Sequence, residues 1–163
     1  MFDFSTPNFY LKFVKGDLQY YVDQAPFEHF LYAYRLENRS VYEQELTLSL
    51  EQKQQLFDQL TKSLYSDDKF YTYKFIDKNC TTMVVDHLNK IYKEDIIQKT
   101  DEKNSSYRKV LNPYMDNLYF EKLGINIIFG YRTDEAAEQL FLPIELFNSL
   151  QKSTFQGKKL VGK

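Results

Sequence analysis

The sequence predicts a single α+β domain, because amphipathic helical segments and short aromatic strands are mixed along it without a regular alternation. The chain has 163 residues, of which 43% are hydrophobic and 17% aromatic, with five Gly and four Pro. This length fits one domain, and the composition excludes disordered, collagenous and low-complexity proteins. We expect the domain to cover residues 1–150, and the basic segment 151–163, which has no periodicity, to be a flexible tail.

Hydrophobic periodicity predicts the elements in the first half of the chain. Apolar residues at helical spacing indicate helices, and alternating apolar and polar residues indicate strands. These elements are a helix over 5–16, strands over 18–22 and 41–48, and helices over 26–36 and 49–65. Residues 5–16 also alternate at the period of a strand, which leaves a strand as the alternative there. The helix over 49–65 begins at a capping box, because the side chains of Ser49 and Gln52 can each satisfy a backbone amide of the other.

A strand, a turn and a helix follow one another over residues 70–88, which read FYTYKFIDKNCTTMVVDHL. The alternating aromatic stretch 70–76 predicts a strand, and the polar turn after it leads into a helix from Cys80 to about Tyr92. The inward face of that helix is expected to carry Cys80, Val84, Leu88 and Ile91. The remaining predicted elements are a flexible polar loop over 98–106 and helices over 107–115, 119–128 and 143–150.

Charge and composition exclude several classes of partner and cofactor. The chain has 21 basic and 23 acidic residues, and this near-neutral balance argues against nucleic acid as its main partner. It has no run of about 18 apolar residues and no leader resembling a signal peptide, so we expect no membrane span within it. Because it has one cysteine, Cys80, and two histidines, His29 and His87, we expect no internal disulfide, metal site or cofactor.

Cys80 is the candidate nucleophile. A thiol at the amino terminus of a helix lies at the positive end of the helix dipole, which favours the thiolate. The unpaired backbone amides there could also hold the oxyanion of an acyl-transfer intermediate. Either Asn79 or Asp77 can cap this helix, and Thr81 is small enough to let a substrate approach. The alternative is that Cys80 is a small buried core residue, as free cysteines commonly are.

A cysteine nucleophile also needs a base. His87 lies two turns along the same helix, about 10 Å from Cys80 along the axis, and His29 could reach the thiol only through the tertiary fold. Glu43 and Glu45 share a face of a predicted strand, which is ordinarily a solvated face. The 14 Tyr and 14 Phe indicate either an aromatic surface for lipid or protein partners or a sheet-lined core in which Tyr replaces the absent Trp.

Four segments together match the order and spacing of one protein family. They are FDFSTPNFYLKFVKGDLQYY, PFEHFLYAYRLENRSVYEQELTLSLEQKQQLF, YKFIDKNCTTMVVDHL and GINIIFGYRTDEAAEQLFLPIEL, and they extend from Phe2 to about Leu150. They resemble the amino-terminal periplasmic domain of the Lnb-type lipoprotein N-acyltransferases. The resemblance implies a permuted papain-like (NlpC-like) fold, in which the nucleophilic cysteine begins a helix. The Asn-Cys pair of the family corresponds to Asn79 and Cys80.

The resemblance also implies an activity for the parent protein. Cys80 would form a thioester with an acyl chain taken from a phospholipid and pass it to a lipoprotein amine, with Asn79 and Thr81 supporting it at the helix start. This reaction would take place at the periplasmic face of the inner membrane, to which segments outside this chain would attach the protein. Met83 and Val84 stand where members usually carry an arginine, although Asp86 fits the acidic position of the family.

The resemblance further implies that this chain is incomplete. The histidine base of the family lies in a Gly-His-Thr segment upstream of the residues matching Phe2–Phe4, and this sequence begins after it. We therefore expect a fragment that lacks the first strands and the base, and is inactive or nearly so, because a general base typically contributes about 10²–10⁴-fold.

Two other functions use the same residues. A non-catalytic module whose aromatic surface docks on a membrane protein or a lipid would have a buried, unreactive Cys80. A cysteine peptidase or amidase on the same fold would share every residue named for the acyltransferase, because fold does not determine function.

Overall fold

Helices and short antiparallel strands are mixed along the described residues, which are 5, 7–99 and 105–162 of a computed structural model. This arrangement confirms the α+β class predicted from the sequence. The helices are α1 (Phe9–Lys15), α2 (Phe27–Leu36), α3 (Leu50–Tyr65), α4 (Cys80–Tyr92), α5 (Tyr107–Leu111), α6 (Tyr119–Phe129) and α7 (Pro143–Lys152). The strands are β1 (Leu18–Tyr21), β2 (Phe70–Tyr73), β3 (Thr154–Phe155) and β4 (Lys158–Lys159).

Strands β1 and β2 form an antiparallel pair, with Leu18 opposite Tyr73 and Tyr20 opposite Tyr71. Directly opposed residues, and residues two apart on one strand, lie on the same face of a sheet. Leu18, Tyr20, Tyr71 and Tyr73 therefore share one face, which we call the tyrosine face. Leu18 is 2% exposed, so this face is directed into the molecule.

Two clusters of apolar side chains form the core. The first joins α4 to α7 and to the carboxyl-terminal segment and consists of Leu88, Ile91, Tyr92, Ile97, Leu140, Leu146, Leu150 and Leu160. The second lies around α5 and the segment before α7 and consists of Ile76, Tyr107, Leu111, Met115, Ala137 and Phe141. The second half of α4 belongs to the first cluster, and the turn before α4 belongs to the second through Ile76, so α4 and its preceding turn connect the two clusters.

Five of the predicted helix starts are confirmed, those of α3, α4, α5, α6 and α7. The capping box at Ser49 is complete, because the Ser49 hydroxyl accepts from the Gln52 amide at 3.2 Å and the Ser49 amide donates to Gln52 Oε1 at 2.9 Å. Helix α4 has the predicted bounds. Helix α1 is shorter than predicted, since it begins at Phe9. It ends at Lys15, and the Gly16 cap that follows has a φ of 69°, which glycine adopts without strain.

The strand predicted over 41–48 and the flexible tail predicted over 151–163 differ from what the structure contains. Residue Leu46 makes a single bridge, to Val161, and the rest of 41–48 has no strand pairing among the described residues. Residues 151–162 form the end of α7 and a hairpin of β3 and β4, with Leu160 1% exposed. Leu46 and Leu48 pack on the cluster that contains Leu160. The alternating pattern of 41–48 therefore reflects one-sided burial against the end of the chain.

Two other elements are shorter than the sequence predicts. Strand β2 ends at Tyr73, because Lys74 pairs with Lys78 within the following turn. The helix predicted over 107–115 becomes a 3₁₀ helix from Asn112, next to Pro113, which has no amide to donate. Of the polar loop predicted over 98–106, residues 100–104 lie outside the described residues.

Candidate functional site

The turn between β2 and α4 determines where Cys80 lies. Lys74 and Lys78 exchange both backbone hydrogen bonds, at 2.9 and 3.0 Å, which folds the chain back beside β2 two residues before the cysteine. Cys80 is the first residue of α4, and it is exposed. The prediction that Cys80 faces inward is therefore wrong, and the structure also excludes the alternative in which Cys80 is a buried core residue.

The buried side of α4 is rotated from the predicted one. Leu88 and Ile91 are buried as expected, but Val84 is 45% exposed. The remaining buried positions are taken by Thr81 and Thr82 near the start of α4 and by Tyr92 at its end. Cys80 and Val84 thus lie on the exposed side of the helix, opposite the buried Thr81 and Thr82.

The side chain of Asn79 caps α4 and makes four hydrogen bonds there. Its Oδ1 accepts from the backbone amides of Thr81 and Thr82, at 2.8 and 3.0 Å. Its Nδ2 donates to the carbonyl oxygens of Phe75 and Phe141, at 2.7 and 2.9 Å. Asn79 is 3% exposed, so all four bonds are shielded from water. Of the two predicted caps, Asn79 fills this role, and its side chain also ties the cysteine turn to a segment 62 residues away.

These bonds leave one amide of the first turn without a partner. The amides of Thr81 and Thr82 donate to Asn79 Oδ1, and that of Met83 donates to the Asn79 carbonyl at 3.1 Å. Within the part of the chain that the structure describes, the backbone amide of Cys80 has no hydrogen-bond partner. Thr81 stands at the helix start as predicted, but its amide is already bonded, and its side chain is buried.

The tyrosine face lies beside the thiol. Burial is the main cause that raises the pKa of Tyr20, Tyr71 and Tyr73, and the negative charge of the Cys80 thiolate raises each of these pKa values further. The three hydroxyls therefore stay protonated at neutral pH and can donate hydrogen bonds. The sequence analysis did not single out these tyrosines. The available signal was that Tyr71 and Tyr73 are two residues apart on β2, so that both side chains lie on one face of the strand.

A row of aromatic rings leads from the tyrosine face to α6. Phe13 of α1 stacks on Tyr73 with ring centroids 6.1 Å apart and contacts Phe129 of α6 at 6.0 Å. Phe129 in turn stacks on Phe75, in the cysteine turn, at 4.7 Å. We call these four residues the aromatic row. It fixes α1 and α6 next to the turn that bears the cysteine.

The segment 129–141 holds the cysteine turn from the other side. The carboxylate of Asp77 accepts two hydrogen bonds from Arg132, at 2.7 and 2.8 Å. Phe141 contributes the carbonyl that Asn79 binds, and its ring contacts that of Phe75 at 6.1 Å. Residues remote in sequence thus set the position of the helix start.

The other candidate residues are not part of this arrangement. The Nδ1 atom of His87 lies 3.2 Å from Gln59 Oε1, and burial lowers the pKa of the imidazole. His29 is exposed on α2. Glu43 and Glu45 are exposed in a segment that forms no strand. Among the described residues, neither histidine hydrogen-bonds the thiol. The absence of a direct bond from His87 agrees with its position two helical turns from Cys80.

A cavity of about 630 Å³ lies on the side of α4 that faces away from Cys80. Asp77, Asp86, Asp95 and Glu138 contribute carboxylates to its lining. No set of three or more His, Cys, Asp or Glu side chains in the described ranges is arranged to hold a metal ion. Across the same ranges, every helix is too short or too polar to cross a membrane.

Comparison with known proteins places the chain in a family. No curated protein and no solved structure matches it. The family model described as the Lnb N-terminal periplasmic domain matches residues 2–113 of the 163, a stretch that contains β1, β2, α4, Asn79 and Cys80. Segment 129–141, which holds the cysteine turn in place, lies beyond the matched residues. Since the match covers more than half of the sequence, the chain belongs to the Lnb N-terminal periplasmic domain family.

Proposed function

We propose that this chain is the thiol-bearing part of a cysteine acyltransferase, which takes an acyl chain from a phospholipid and transfers it to the amine of a lipoprotein. The observation that carries the proposal is Cys80 itself, which is exposed at the first position of α4 and whose backbone amide has no partner among the described residues. The family match supports the periplasmic setting. We place the reaction at the outer leaflet of the inner membrane.

The proposed reaction has two steps through a thioester. In the first, Cys80 sulfur attacks the ester carbonyl of the phospholipid, the carbon–oxygen ester bond breaks, and the lysophospholipid leaves as an alcohol that takes up the thiol proton. In the second, the amine nitrogen attacks the thioester carbonyl, an amide forms, and the thiol is regenerated. No oxidant or cofactor is consumed in either step.

The residues around the thiol suit the charge that develops in both steps. Each tetrahedral intermediate carries an oxyanion, and donors aimed at an oxyanion commonly contribute about 10²–10³-fold to the rate. We assign this role to the backbone amide of Cys80, because the Thr81 and Thr82 amides already donate to Asn79. Protonated hydroxyls of the tyrosine face are a second source of donors. Asn79 is a positioning residue, which fixes the helix start.

The permuted papain-like arrangement is part of the same proposal. Its support is that the cysteine begins a helix that follows an antiparallel strand directly in sequence. In that arrangement the base is a histidine on a neighbouring strand. His29 and His87 are both elsewhere, so we assign the base to a histidine outside this sequence.

The proposal is tested by acyl-thioester formation from an activated ester. The chain is incubated with p-nitrophenyl octanoate, and intact mass spectrometry measures one added octanoyl group before and after hydroxylamine, which cleaves thioesters. We expect a single hydroxylamine-labile adduct on the wild-type chain and none on Cys80→Ser. Because a soluble activated ester needs less help from a base, this test does not depend on a histidine base.

A relocated cysteine is the matched control. The variant Cys80→Ser with Lys62→Cys carries its single thiol on the exposed last turns of α3, at the negative end of a helix dipole. It is expected to acylate at least about ten-fold more slowly than the wild type. Equal rates for the two positions would mean that the surroundings of Cys80 do nothing for the thiol, and would overturn the proposal. Rapid hydrolysis of the adduct with no transfer to added amines would favour a peptidase or amidase instead.

A further inference from the structure

A second cavity, of about 540 Å³, lies between the carboxyl end of α4, the start of α3 and the hairpin of β3 and β4. We call it the hairpin cavity, and the residues that line it include Glu51, Ile91, Tyr92, Lys93, Phe155 and Lys158. Tyr92 is the last residue of α4 and Cys80 is the first, so the cavity lies about 18 Å from the thiol along the helix axis. It is therefore separate from the site described above.

The hydroxyl of Tyr92 is a buried donor without a partner. Tyr92 is 4% exposed, and its hydroxyl has no hydrogen-bond partner among the described residues. Its ring belongs to the first core cluster and contacts the ring of Phe155, with centroids 4.9 Å apart. Because the other side chains of that cluster are apolar, the cavity is where this hydroxyl can meet an acceptor. Burial raises the pKa of Tyr92, so the hydroxyl stays protonated and can donate.

Two lysines bring unpaired positive charge to the hairpin cavity. Lys158 lies directly opposite Phe155 in the hairpin, and directly opposed residues share one face of a strand pair. Lys158 is therefore on the face of the hairpin that packs on Tyr92. Lys93 follows α4 directly, and its positive charge offsets the negative end of that helix dipole. Among the described residues, neither lysine forms an ion pair.

The start of α3 contributes further donors. The backbone amides of Leu50 and Glu51 have no hydrogen-bond partner in the described part of the chain. Free amides and the positive end of a helix dipole favour an anion. Among the described residues, Glu51 is the one acidic side chain that lines the cavity, and its carboxylate accepts from Gln55. The lining is still positive on balance, because it also carries three lysines, which are Lys93, Lys158 and Lys159.

These donors suit the phosphate group of a phosphate ester. A phosphate offers several strong acceptor oxygens, so it can accept from ammonium groups, a hydroxyl and helix amides at once. Part of the lining is apolar and is formed by Ile91, Phe155 and Leu160. A lone phosphate would leave most of the 540 Å³ empty, which leaves room for an organic group on these apolar side chains. Apolar walls with a few placed polar groups are typical of a small-molecule site.

We propose that the hairpin cavity binds the phosphate group of a phosphate ester, with the organic part of the ester against the apolar side chains. Lys158, Lys93 and the Tyr92 hydroxyl donate to the phosphate oxygens, and the free amides of α3 add to them. The site does not rest on the proposed acyl transfer. The ester is a soluble phosphate or the head group of a phospholipid, since both offer the same group.

Isothermal titration calorimetry in a phosphate-free buffer tests the site. The probes are inorganic phosphate, phenyl phosphate and dihexanoyl phosphatidic acid below its micelle concentration. We expect the esters to bind at least about ten-fold more tightly than inorganic phosphate, because burial of the organic group adds to the phosphate contacts. The tighter of the two esters shows whether the ligand is a lipid head group or a soluble phosphate. No binding, or inorganic phosphate bound as tightly as both esters, would overturn the proposal.

Two conservative variants locate the binding. Tyr92→Phe and Lys158→Gln are each expected to weaken ester binding about ten-fold, because each removes one donor to the phosphate. Without ligand, Tyr92→Phe is expected to keep or raise the melting temperature, because it removes a buried hydroxyl that has no partner. A lower melting temperature with unchanged ester binding would mean that the hydroxyl is satisfied within the fold, and would overturn the proposal.

Matched controls separate this site from positive charge in general. Lys62→Gln removes the same charge from the exposed last turn of α3 and is expected to bind the esters like the wild type. Equal loss of binding in Lys62→Gln and Lys158→Gln would overturn the site. Cys80→Ser is also expected to bind normally. If the esters do not bind while the octanoyl thioester forms, only this inference fails; if they bind and no thioester forms, only the proposed function fails.

Discussion

Replacing Asn79 by alanine removes four hydrogen bonds at the point where Cys80 is positioned. Two of them cap α4, and loss of an N-cap costs about 1 kcal/mol. The other two satisfy the carbonyl oxygens of Phe75 and Phe141. A buried polar group left without a partner costs about 1–3 kcal/mol. We therefore expect Asn79→Ala to lower the free energy of unfolding by about 3–5 kcal/mol. This is less than the largest possible sum of the three costs, because the surrounding structure can relax in part.

The assay is urea unfolding followed by far-UV circular dichroism, with Ser49→Ala as the matched control. Ser49 caps α3 in the same way but is exposed and anchors no distant carbonyl, so its loss is expected to cost about 1 kcal/mol. A second variant, Asn79→Asp, keeps the acceptor for the helix amides and replaces the Nδ2 donor by a carboxylate oxygen facing two carbonyls. We expect it to be nearly as destabilised as Asn79→Ala.

Two outcomes would contradict the structural role given to Asn79. If Asn79→Asp is as stable as the wild type, the bonds to Phe75 and Phe141 contribute nothing, and Asn79 is an ordinary cap. If Asn79→Ala costs no more than Ser49→Ala, burial of the cap has no energetic consequence. Either result would remove the segment 129–141 from the account of how Cys80 is positioned.

Three further predictions concern the core, the pH dependence and α6. Leu160→Ala is expected to cost about 2–5 kcal/mol in urea unfolding, because Leu160 is 1% exposed, and a cost near zero would mean that the end of the chain is a mobile tail. Burial lowers the pKa of His87 from 6.5, so just below that pH the unfolded chain binds more protons than the folded chain. We therefore expect the free energy of unfolding to fall as the pH drops from 6.5, and His87→Gln to reduce this pH dependence. Gly124→Ala is expected to raise stability by about 0.5–1 kcal/mol, since an added Cβ meets no atom within 4 Å, and unchanged or lower stability would contradict the described environment of α6.

Helix starts were predictable from the sequence because capping is local chemistry. Ser49 and Gln52 lie three residues apart, as do Asn79 and Thr82, and each pair forms its reciprocal bonds as its spacing requires. The bounds of α4, and the place of Cys80 at its first residue, follow from this. Nothing beyond neighbouring residues is needed to find them.

The buried side of α4 was not predictable in the same way. Val84 and Leu88 both suit an inward position, but only Leu88 is buried, because the core cluster and the Asn79–Phe141 bond decide how the helix is turned. The position of the tyrosine face depends on the register of β1 against β2, which brings Tyr20 opposite Tyr71. Local patterns do not contain that register.

The packing of Leu46 and Leu48 against Leu160 was not predictable from local patterns either. Alternation over 41–48 is real, but it records the burial of Leu46 and Leu48 against Leu160, more than a hundred residues away in the chain. Short runs such as 154–155 and 158–159 have too few residues for a strand pattern. Their pairing follows from the turn at Gly157 (φ 77°) and from the packing of Leu160.

The measurement that tests the central proposal most directly is transfer of a labelled acyl chain from a phospholipid to Cys80. Vesicles that carry a phospholipid with a radiolabelled acyl chain are incubated with the wild-type chain joined to the residues that precede it in the parent protein, and label on the protein is measured before and after hydroxylamine. We predict hydroxylamine-labile label on the wild type and none on Cys80→Ser. Label that persists in Cys80→Ser, or that resists hydroxylamine, would contradict a thioester at this cysteine.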